Sequence, residues 1–203
     1  KLKGHKFSLY EGGIRVPGLI EWPARISTPR VSQVPAVTSD ILPTVASLLG
    51  QPIQSRPLDG VDLQPLIDNS MGSRPEPIFF WSVDLERVVG RNRTPYIDPE
   101  LQIGTTPLVK LMGGIATRNF QNFRYPTITL DDLGGQLAVL DNDYKLVIVG
   151  SEGSGRELFT LRDDPSEQVN LVEREPAMVR AMESELREWQ RSSLESLMGL
   201  DYQ

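Results

Sequence analysis

The chain has 203 residues, of which 39% are hydrophobic and 24% are charged, as in a globular protein with one sizeable core or two small ones. Its formal net charge of -6 argues against a nucleic-acid-binding protein, because such proteins carry a basic balance or a basic stripe. The absence of cysteine excludes disulfides, thiolate metal sites and a thiol nucleophile. The single histidine, His5, would have to serve any Ser-His-Asp triad or imidazole ligand.

The sequence predicts no membrane-spanning helix, because no apolar stretch approaches the roughly 18 residues that such a helix needs. The chain begins at Lys1 with neither an initiator methionine nor an apolar leader segment. This beginning favours either processing or a start inside a longer protein, and it leaves the cellular compartment undetermined.

Short elements separated by loops are predicted for the first part of the chain, where glycine and proline are frequent. Residues 18–22 have the composition of a short strand, and Pro23 would end it. Residues 39–49 predict a helix, with Pro43 in its first turn and Gly50 after its end. The apolar residues of this helix recur on one face: Ile41, Val45, Leu48 and Leu49.

A single helical turn is expected at residues 63–68, and a buried strand at residues 78–81. From residue 83 to about residue 112 no clean period appears, and a long irregular loop in a compact domain is usually functional or mobile. Five arginines in and after this region could contact an acidic sugar, although such side chains are more often solvated or paired: Arg87, Arg91, Arg93, Arg118 and Arg124.

The last third of the chain predicts an antiparallel meander covered by a helix. Strands are expected at residues 137–140, 144–149 and 157–161. A helix should begin at Pro176, a favoured first helical residue. Its apolar side chains should face the core and cover one face of the meander: Met178, Val179, Met182, Leu186 and Trp189.

Residues 6–18 carry the chemical signal and read Lys-Phe-Ser-Leu-Tyr-Glu-Gly-Gly-Ile-Arg-Val-Pro-Gly. The paired glycines after Glu11 permit a tight turn with positive φ. Arg15 has five donors that could pin a loop, and Pro17 favours an extended entry into the next strand. These residues alone predict a rigid turn flanked by Lys6, which is then either a solvated lysine or an anion ligand.

This segment resembles the signature that sulfatases carry late in their catalytic domain, where Gly-x-Lys-Gly-Thr leads into Tyr-Glu-Gly-Gly-Ile-Arg-Val-Pro. Gly4-His5-Lys6-Phe7-Ser8 departs from that pattern after the lysine. Further matches follow in order and leave out mainly residues 83–130. They are the segments at residues 21–23, 39–44, 58–63, 142–147 and 157–171.

The resemblance implies a sulfatase of the alkaline phosphatase superfamily, similar to arylsulfatases and N-acetylgalactosamine-6-sulfatases, with this chain matching only the C-terminal portion. The implied fold class is α/β. Residues 1–75 would end an alkaline-phosphatase-like catalytic domain. Residues 76–203 would form a small antiparallel-sheet subdomain covered by a long C-terminal helix. A periplasmic or extracellular location is the family expectation.

Sulfatases use a formylglycine nucleophile and a calcium or similar divalent ion among Asp and Asn ligands. The chain has no Cys/Ser-x-Pro-x-Arg motif, its aspartate turns at residues 141–143 and 163–164 do not read as metal sites, and the late Asp-Asn ligand pair would precede Lys1. The resemblance carries over one position: Lys6 matches the lysine that contacts the sulfate and the leaving oxygen. Residues of the adjoining turn are expected to place that lysine, and His5 has no implied role: Glu11, Gly12, Gly13 and Arg15.

The implied activity is hydrolysis of a sulfated carbohydrate or aryl sulfate by an intact protein that supplies the missing N-terminal catalytic portion. The isolated chain is expected to be inactive. A phosphodiesterase or phosphonate hydrolase of the same superfamily is the first alternative. A non-catalytic binding remnant is the second, and an exposed apolar face on residues 1–75 would argue against it. An unrelated α+β interaction domain is the third.

Overall fold

A computed structural model describes residues 1–51, 53, 57–83, 110–112, 115–117, 133–150 and 155–200. Three short helices occur in the first part of the chain: α1 (Glu11–Ile14), α2 (Ile41–Leu48) and α3 (Gln64–Ile67). A 3-10 turn at Thr38–Asp40 leads into α2. The structure therefore confirms the helix predicted at residues 39–49 and the helical turn predicted at residues 63–68.

The strand predicted at residues 18–22 is wrong, because these residues form no regular secondary structure. A strand needs a partner to bind its backbone N–H and C=O groups, and no described strand pairs with this segment. Leu19 is 91% exposed and Ile20 is 55% exposed, so the apolar side chains that suggested a buried strand have no cover among the described residues.

A four-stranded antiparallel sheet forms the centre of the described structure. Its order is β1 (Ile78–Val83), β4 (Gly135–Asp141), β5 (Tyr144–Val149) and β6 (Gly155–Thr160). The strands β2 (Lys110–Met112) and β3 (Ile115–Thr117) pair separately.

The sequence predictions for this sheet are confirmed, including the turn between β4 and β5. That turn contains Asn142 at φ 47, a left-handed conformation that asparagine tolerates better than most residues.

The helix α4 (Pro176–Leu197) covers one face of the sheet, as predicted. Leu186 of this helix is fully buried among side chains of β4, β5 and β6. At the edge strand, the Trp189 ring stacks on Phe79 with 5.2 Å between ring centroids. None of the described helices has both the length and the apolar character to cross a membrane.

The opposite face of the sheet is covered by residues 9–14. Leu9 is buried against Ala138, Val147 and Phe159, and Tyr10 and Ile14 pack beside them. Because side chains alternate along a strand, both faces of β4 and β5 present apolar residues. The central sheet therefore lies between α4 and the segment that the sequence marked as chemically informative.

A buried ion pair connects α2 to the same sheet. Both oxygens of Asp40 accept hydrogen bonds from Arg74 at 2.7 Å, and both side chains are fully buried. Asp40 also accepts the backbone N–H groups of Val37 and Val61, each at 2.8 Å. The backbone N–H of Arg74 donates in turn to the side chain of Asn142 at 2.7 Å. One carboxylate thus fixes three loop segments to the β4–β5 turn.

This environment predicts a specific pH dependence of stability. Burial alone would raise the pKa of Asp40, but hydrogen bonds from Arg74, Val37 and Val61 outweigh it and hold that pKa below its ordinary value. The ion pair therefore stabilises the fold above the unfolded carboxyl pKa of about 3.9, and this contribution is lost as the pH falls through the folded pKa.

We expect Asp40→Asn to lower the free energy of unfolding by about 3 kcal/mol at neutral pH, because it leaves the Arg74 charge buried without a partner. The deficit should shrink as the pH falls below about 4. Urea denaturation at several pH values measures both effects. Asp68→Asn is the control, because it breaks the exposed pair with Arg25 and should cost less. A deficit that is the same at every pH would contradict the assignment.

Candidate functional site

Residues 3–12 form a closed loop with Lys6 near its tip. The backbone N–H of Gly12 donates to the carbonyl oxygen of Lys3 at 2.7 Å and closes the loop. Within the loop, the backbone N–H of Ser8 donates to the carbonyl oxygen of His5 at 2.9 Å. The Ser8 hydroxyl oxygen accepts the backbone N–H of His5 at 3.2 Å. We call residues 3–12 the lysine loop.

The two glycines after Glu11 are required by close backbone approach. A Cβ atom on Gly13 would lie 2.0 Å from the carbonyl oxygen of Ser8, and one on Gly12 would lie 2.5 Å from that of Lys3. Neither contact is sterically possible, so any larger residue would open the lysine loop. Close approach is therefore the physical reason for the glycine pair. The positive φ expected from the sequence is wrong, because residues 11–14 form α1 and neither Gly12 nor Gly13 has a positive φ.

The tip of the lysine loop presents His5, Lys6 and Phe7 to solvent. The Lys6 ammonium lies 5.1 Å from the centroid of the Phe7 ring, and no ion pair joins it to any described residue. The Nδ1 atom of His5 donates to the carbonyl oxygen of Lys6 at 2.8 Å. The site residue predicted from the sequence is thus an exposed cation on a rigid loop, with its charge available to an anion.

Beneath the loop lies a buried cluster of three charges. Lys145 of β5 places its ammonium 3.0 Å from Oε1 of Glu11 and 2.9 Å from Oε1 of Glu167. The Oε2 atom of Glu167 accepts the backbone N–H of Glu11 at 2.8 Å. Arg15 is half-exposed, and its Nη1 atom lies 3.6 Å from Oε2 of Glu11. We call Glu11, Lys145 and Glu167 the buried triad.

The buried triad was predicted only in part: Glu11 was expected to help place Lys6, whereas Lys145 and Glu167 were not assigned to the site. Its one signal in the sequence is a lysine within the apolar strand Tyr-Lys-Leu-Val-Ile-Val, at residues 144–149. By alternation, Lys145 shares the strand face of Val147, which packs against Leu9. A lysine on that face must be buried, and a buried lysine needs acidic partners. Which acids serve could not be read from the sequence.

A second carboxylate holds both stems of the lysine loop. Glu157 of β6 lies 3.0 Å from the ammonium of Lys3, and the Tyr10 hydroxyl donates to it at 2.5 Å. Burial raises the pKa of Tyr10, and the hydrogen bond to Glu157 raises it further. The Lys3 ammonium also lies 4.1 Å from the centroid of the Tyr10 ring. The loop is therefore attached to the sheet by two carboxylates. Glu11 pairs with Lys145 of β5, and Glu157 of β6 holds the two stems of the loop.

Helix α2 differs from an ordinary surface helix in that a polar side chain faces inward and its apolar side chains face outward. Its Thr44 is buried, donates to the carbonyl oxygen of Asp40 at 2.6 Å and accepts the N–H of Leu63 at 2.9 Å. Its apolar side chains face away from the described residues, with exposures from 37% to 69%: Ile41, Leu42, Val45, Leu48 and Leu49. We call these five residues the α2 apolar face.

Other candidates fall into two groups. The turns at residues 141–143 and 163–164 serve structure: Asp164, for example, accepts the backbone N–H groups of Gln168 and Val169 at 2.6 and 2.8 Å. Within the described ranges, no group of three or more His, Asp or Glu side chains could hold a metal ion. The five arginines considered for sugar binding lie outside the described residues: Arg87, Arg91, Arg93, Arg118 and Arg124.

Comparison with known proteins identifies sulfatases as relatives, although no family model matches the chain. Human steryl-sulfatase is 46% identical over 67 residues, which are 32% of this chain and 12% of that protein. Human arylsulfatase A is 41% identical over 80 residues, which are 39% of this chain and 16% of that protein. The chain thus matches less than a fifth of the length of these relatives. The predicted resemblance to sulfatases is confirmed.

Solved structures share the fold. Ps i-CgsB in complex with k-i-k-neocarrahexaose aligns over 99% of this chain and 36% of its own, with a TM-score of 0.61 and 22% identity. A sulfatase structure from work on the metabolism of multiple glycosaminoglycans by Bacteroides thetaiotaomicron aligns over 94% of this chain and 32% of its own, with a TM-score of 0.57 and 20% identity. These matches confirm the predicted fold class, part of an alkaline-phosphatase-like α/β fold with an antiparallel sheet and a C-terminal helix.

The loop conformation at Phe7 generates a prediction about stability. Phe7 has φ 76 and is 86% exposed, so its side chain gains little from burial while its backbone occupies a left-handed region that costs about 1 kcal/mol for non-glycine residues. The family signature has glycine at this position. We expect Phe7→Gly to have a higher free energy of unfolding than Phe7→Ala, by about 1 kcal/mol.

The two variants are a matched pair, because both remove the aromatic ring and only glycine relieves the backbone. Elsewhere in a regular element, glycine is less stable than alanine by about 0.5–1 kcal/mol. Urea denaturation of both variants decides between the two orders. If alanine proves equal to or better than glycine, Phe7 does not adopt the left-handed conformation in solution.

Proposed function

We propose that the chain is the C-terminal part of a sulfatase that hydrolyses sulfate esters of a carbohydrate or an aryl compound. Residues 1–75 complete the catalytic domain, and residues 76–203 form the C-terminal subdomain that supports it. The observation that carries the proposal is an exposed lysine on a loop that the buried triad holds against the sheet, within a chain related to sulfatases.

In this proposal Lys6 binds the sulfate group and stabilises the leaving oxygen. A sulfate ester gains negative charge on the departing oxygen as the S–O bond breaks, and an ammonium already held in place stabilises that charge without reorganising at the moment of reaction. The lysine loop supplies the fixed position, because the Gly12–Lys3 hydrogen bond and the contacts of Glu157 limit its movement.

The α2 apolar face supports the idea that further chain completes the domain. Its five large apolar side chains are exposed together on one helix, and contiguous apolar surface of this kind usually marks a contact surface. The covering element in our proposal is the sheet of the N-terminal catalytic portion. This exposure also argues against a self-contained binding remnant, because a domain complete in itself would bury the apolar face of a helix against its own core.

A divalent ion such as calcium, and the formylglycine nucleophile, enter the proposal only as parts of the longer protein. The described residues offer no cluster of metal ligands, and the chain contains no Cys/Ser-x-Pro-x-Arg motif. Lewis-acid and nucleophilic chemistry would come from that other portion. This chain would contribute the cation at residue 6 and the scaffold beneath it, so the isolated chain is expected to be inactive.

The first test is Lys6→Ala in the full-length protein that contains this chain. Loss of one charge-stabilising donor should lower kcat for sulfate-ester hydrolysis by roughly 10²-fold or more. The fold should be unaffected, because the Lys6 side chain is exposed and makes no described ion pair. Steady-state kinetics with an aryl sulfate measures the effect.

Lys1→Ala is the matched control, since Lys1 is also an exposed lysine near the same end of the chain. It should retain activity within about twofold if bulk positive charge is unimportant. Near-normal turnover by Lys6→Ala would remove Lys6 from the sulfate site. An equal loss in both variants would indicate a general effect of surface charge.

A second test compares one substitution in two contexts. Leu42 on the α2 apolar face and Leu197 on α4 are 58% and 57% exposed. In the chain alone, Leu42→Gln and Leu197→Gln should each change the free energy of unfolding by less than about 0.5 kcal/mol. In the full-length protein, Leu42→Gln should cost about 2 kcal/mol, because it would then place a polar side chain in a buried contact. The cost of Leu197→Gln should stay near zero in the full-length protein as well. If Leu42→Gln also costs little there, the proposed covering sheet is contradicted.

The coding sequence upstream of Lys1 provides an independent check. A Cys/Ser-x-Pro-x-Arg motif with metal-binding aspartates there would agree with a sulfatase. Nucleophile and metal motifs of a different kind would favour the phosphodiesterase or phosphonate hydrolase alternative. A start codon or unrelated sequence would overturn the hydrolase proposal and leave a binding module.

A further inference from the structure

The buried triad joins parts of the chain that are far apart in sequence. Glu11 and Lys145 are separated by 134 residues, and Glu11 and Glu167 by 156. The side chains of Lys145 and Glu167 are fully buried, and that of Glu11 is 6% exposed. Three charges have therefore been withdrawn from water to hold one helical turn against two parts of the C-terminal sheet region.

Stability alone is a poor explanation for such a cluster. Withdrawing charged groups from water is unfavourable, and well-packed apolar residues in the same space are often as stable or more so. Ionic contacts differ from apolar ones in being directional. Glu167 illustrates this, because one of its oxygens lies beside the Lys145 ammonium while the other accepts the backbone N–H of Glu11. The triad fixes the backbone of α1 as well as a side chain.

The position of Glu11 is transmitted directly to the lysine loop. Gly12, the next residue, closes the loop through its hydrogen bond to Lys3, and Gly13 leaves no room for relaxation against Ser8. Lys6 lies inside this closed loop. A displacement of Glu11 must therefore move the loop or break the hydrogen bond that closes it.

We propose that Lys145 and Glu167 act as positioning residues, with Glu11 as their contact, so that the buried triad sets the position of Lys6. The role in catalysis rests on the proposed function, whereas the mechanical link does not. On this basis the C-terminal subdomain is part of the sulfate site even though none of its described residues surrounds Lys6.

Residue-resolved amide exchange in the chain tests the mechanical link. Glu167→Gln keeps the size of the side chain and an acceptor for the Glu11 N–H, but removes the charge beside Lys145. We expect the amides of Gly12, Gly13 and Ile14 to exchange at least about tenfold faster, with the amides of α4 changed less than about twofold. Glu183→Gln is the control, because it removes an exposed partner of Arg156 at the side of the sheet that α4 covers, and it should leave the loop amides unchanged.

Two exchange results would overturn the link. One is an unchanged rate in the loop, and the other is a parallel increase in the loop and in α4, which reports global destabilisation instead. If Glu167→Gln fails to fold, the triple variant Glu11→Gln, Lys145→Met and Glu167→Gln replaces it, because it leaves no unpaired charge in the cluster. The same loop-specific acceleration is expected from that variant.

A double-mutant cycle in the full-length protein tests the catalytic consequence. We expect Glu167→Gln, assayed at a temperature where the variant is fully folded, to lower kcat about tenfold, because small displacements of a catalytic group are costly. In the Lys6→Ala background, Glu167→Gln should cause almost no further loss, since its effect passes through Lys6. Additive losses would overturn the positioning role. If Lys6→Ala has no effect while the loop exchange accelerates, the proposed function fails and the mechanical link stands.

Discussion

The burial of the Lys145 ammonium within a β-sheet is the constraint on which the rest of this structure depends. A charged group there has to be neutralised by partners that approach it directly. Glu11 and Glu167 do so from opposite ends of the chain. Because Glu11 lies in the turn that follows Lys6, neutralising the buried lysine brings the conspicuous N-terminal segment onto the face of the C-terminal sheet.

Polar contacts with fixed geometry recur wherever the first 75 residues meet the sheet. Arg74 connects Asp40 to the β4–β5 turn, and Glu157 holds both stems of the lysine loop. Apolar packing accompanies the contact of the lysine loop, where Leu9 packs against Phe159. The hydrophobic effect is non-directional and supplies most of the driving force, whereas the buried ion pairs select one orientation. This division explains how the loop that presents Lys6 is anchored to the sheet although its tip is exposed.

Helix α2 differs from these contacts, because its polar side faces the described structure and its apolar side does not. Its inward side makes hydrogen bonds through Thr44, and its apolar residues are exposed. The relatives identified by sequence are several times longer than the matched region, and the solved structures of this fold have about two thirds of their length outside the match. Both observations agree with a role for α2 as a contact helix within a larger domain.

The sequence by itself determined the elements whose signals are local. The period of α4, the apolar run of β5 and the asparagine of the β4–β5 turn depend on neighbours within a few residues, and all three were predicted correctly. The Lys6 segment was also recognised, because its local sequence matches the sulfatase signature, whereas the need for its glycine pair comes from the nearby carbonyl oxygens of Lys3 and Ser8. Only the tertiary structure decided the partners of Lys145, Asp40 and Arg74, since a charged residue does not specify which distant opposite charge reaches it. It also decided that Leu19 stays exposed without forming a strand. A strand and an apolar helix face both need a second surface, and local sequence cannot state whether that surface is present.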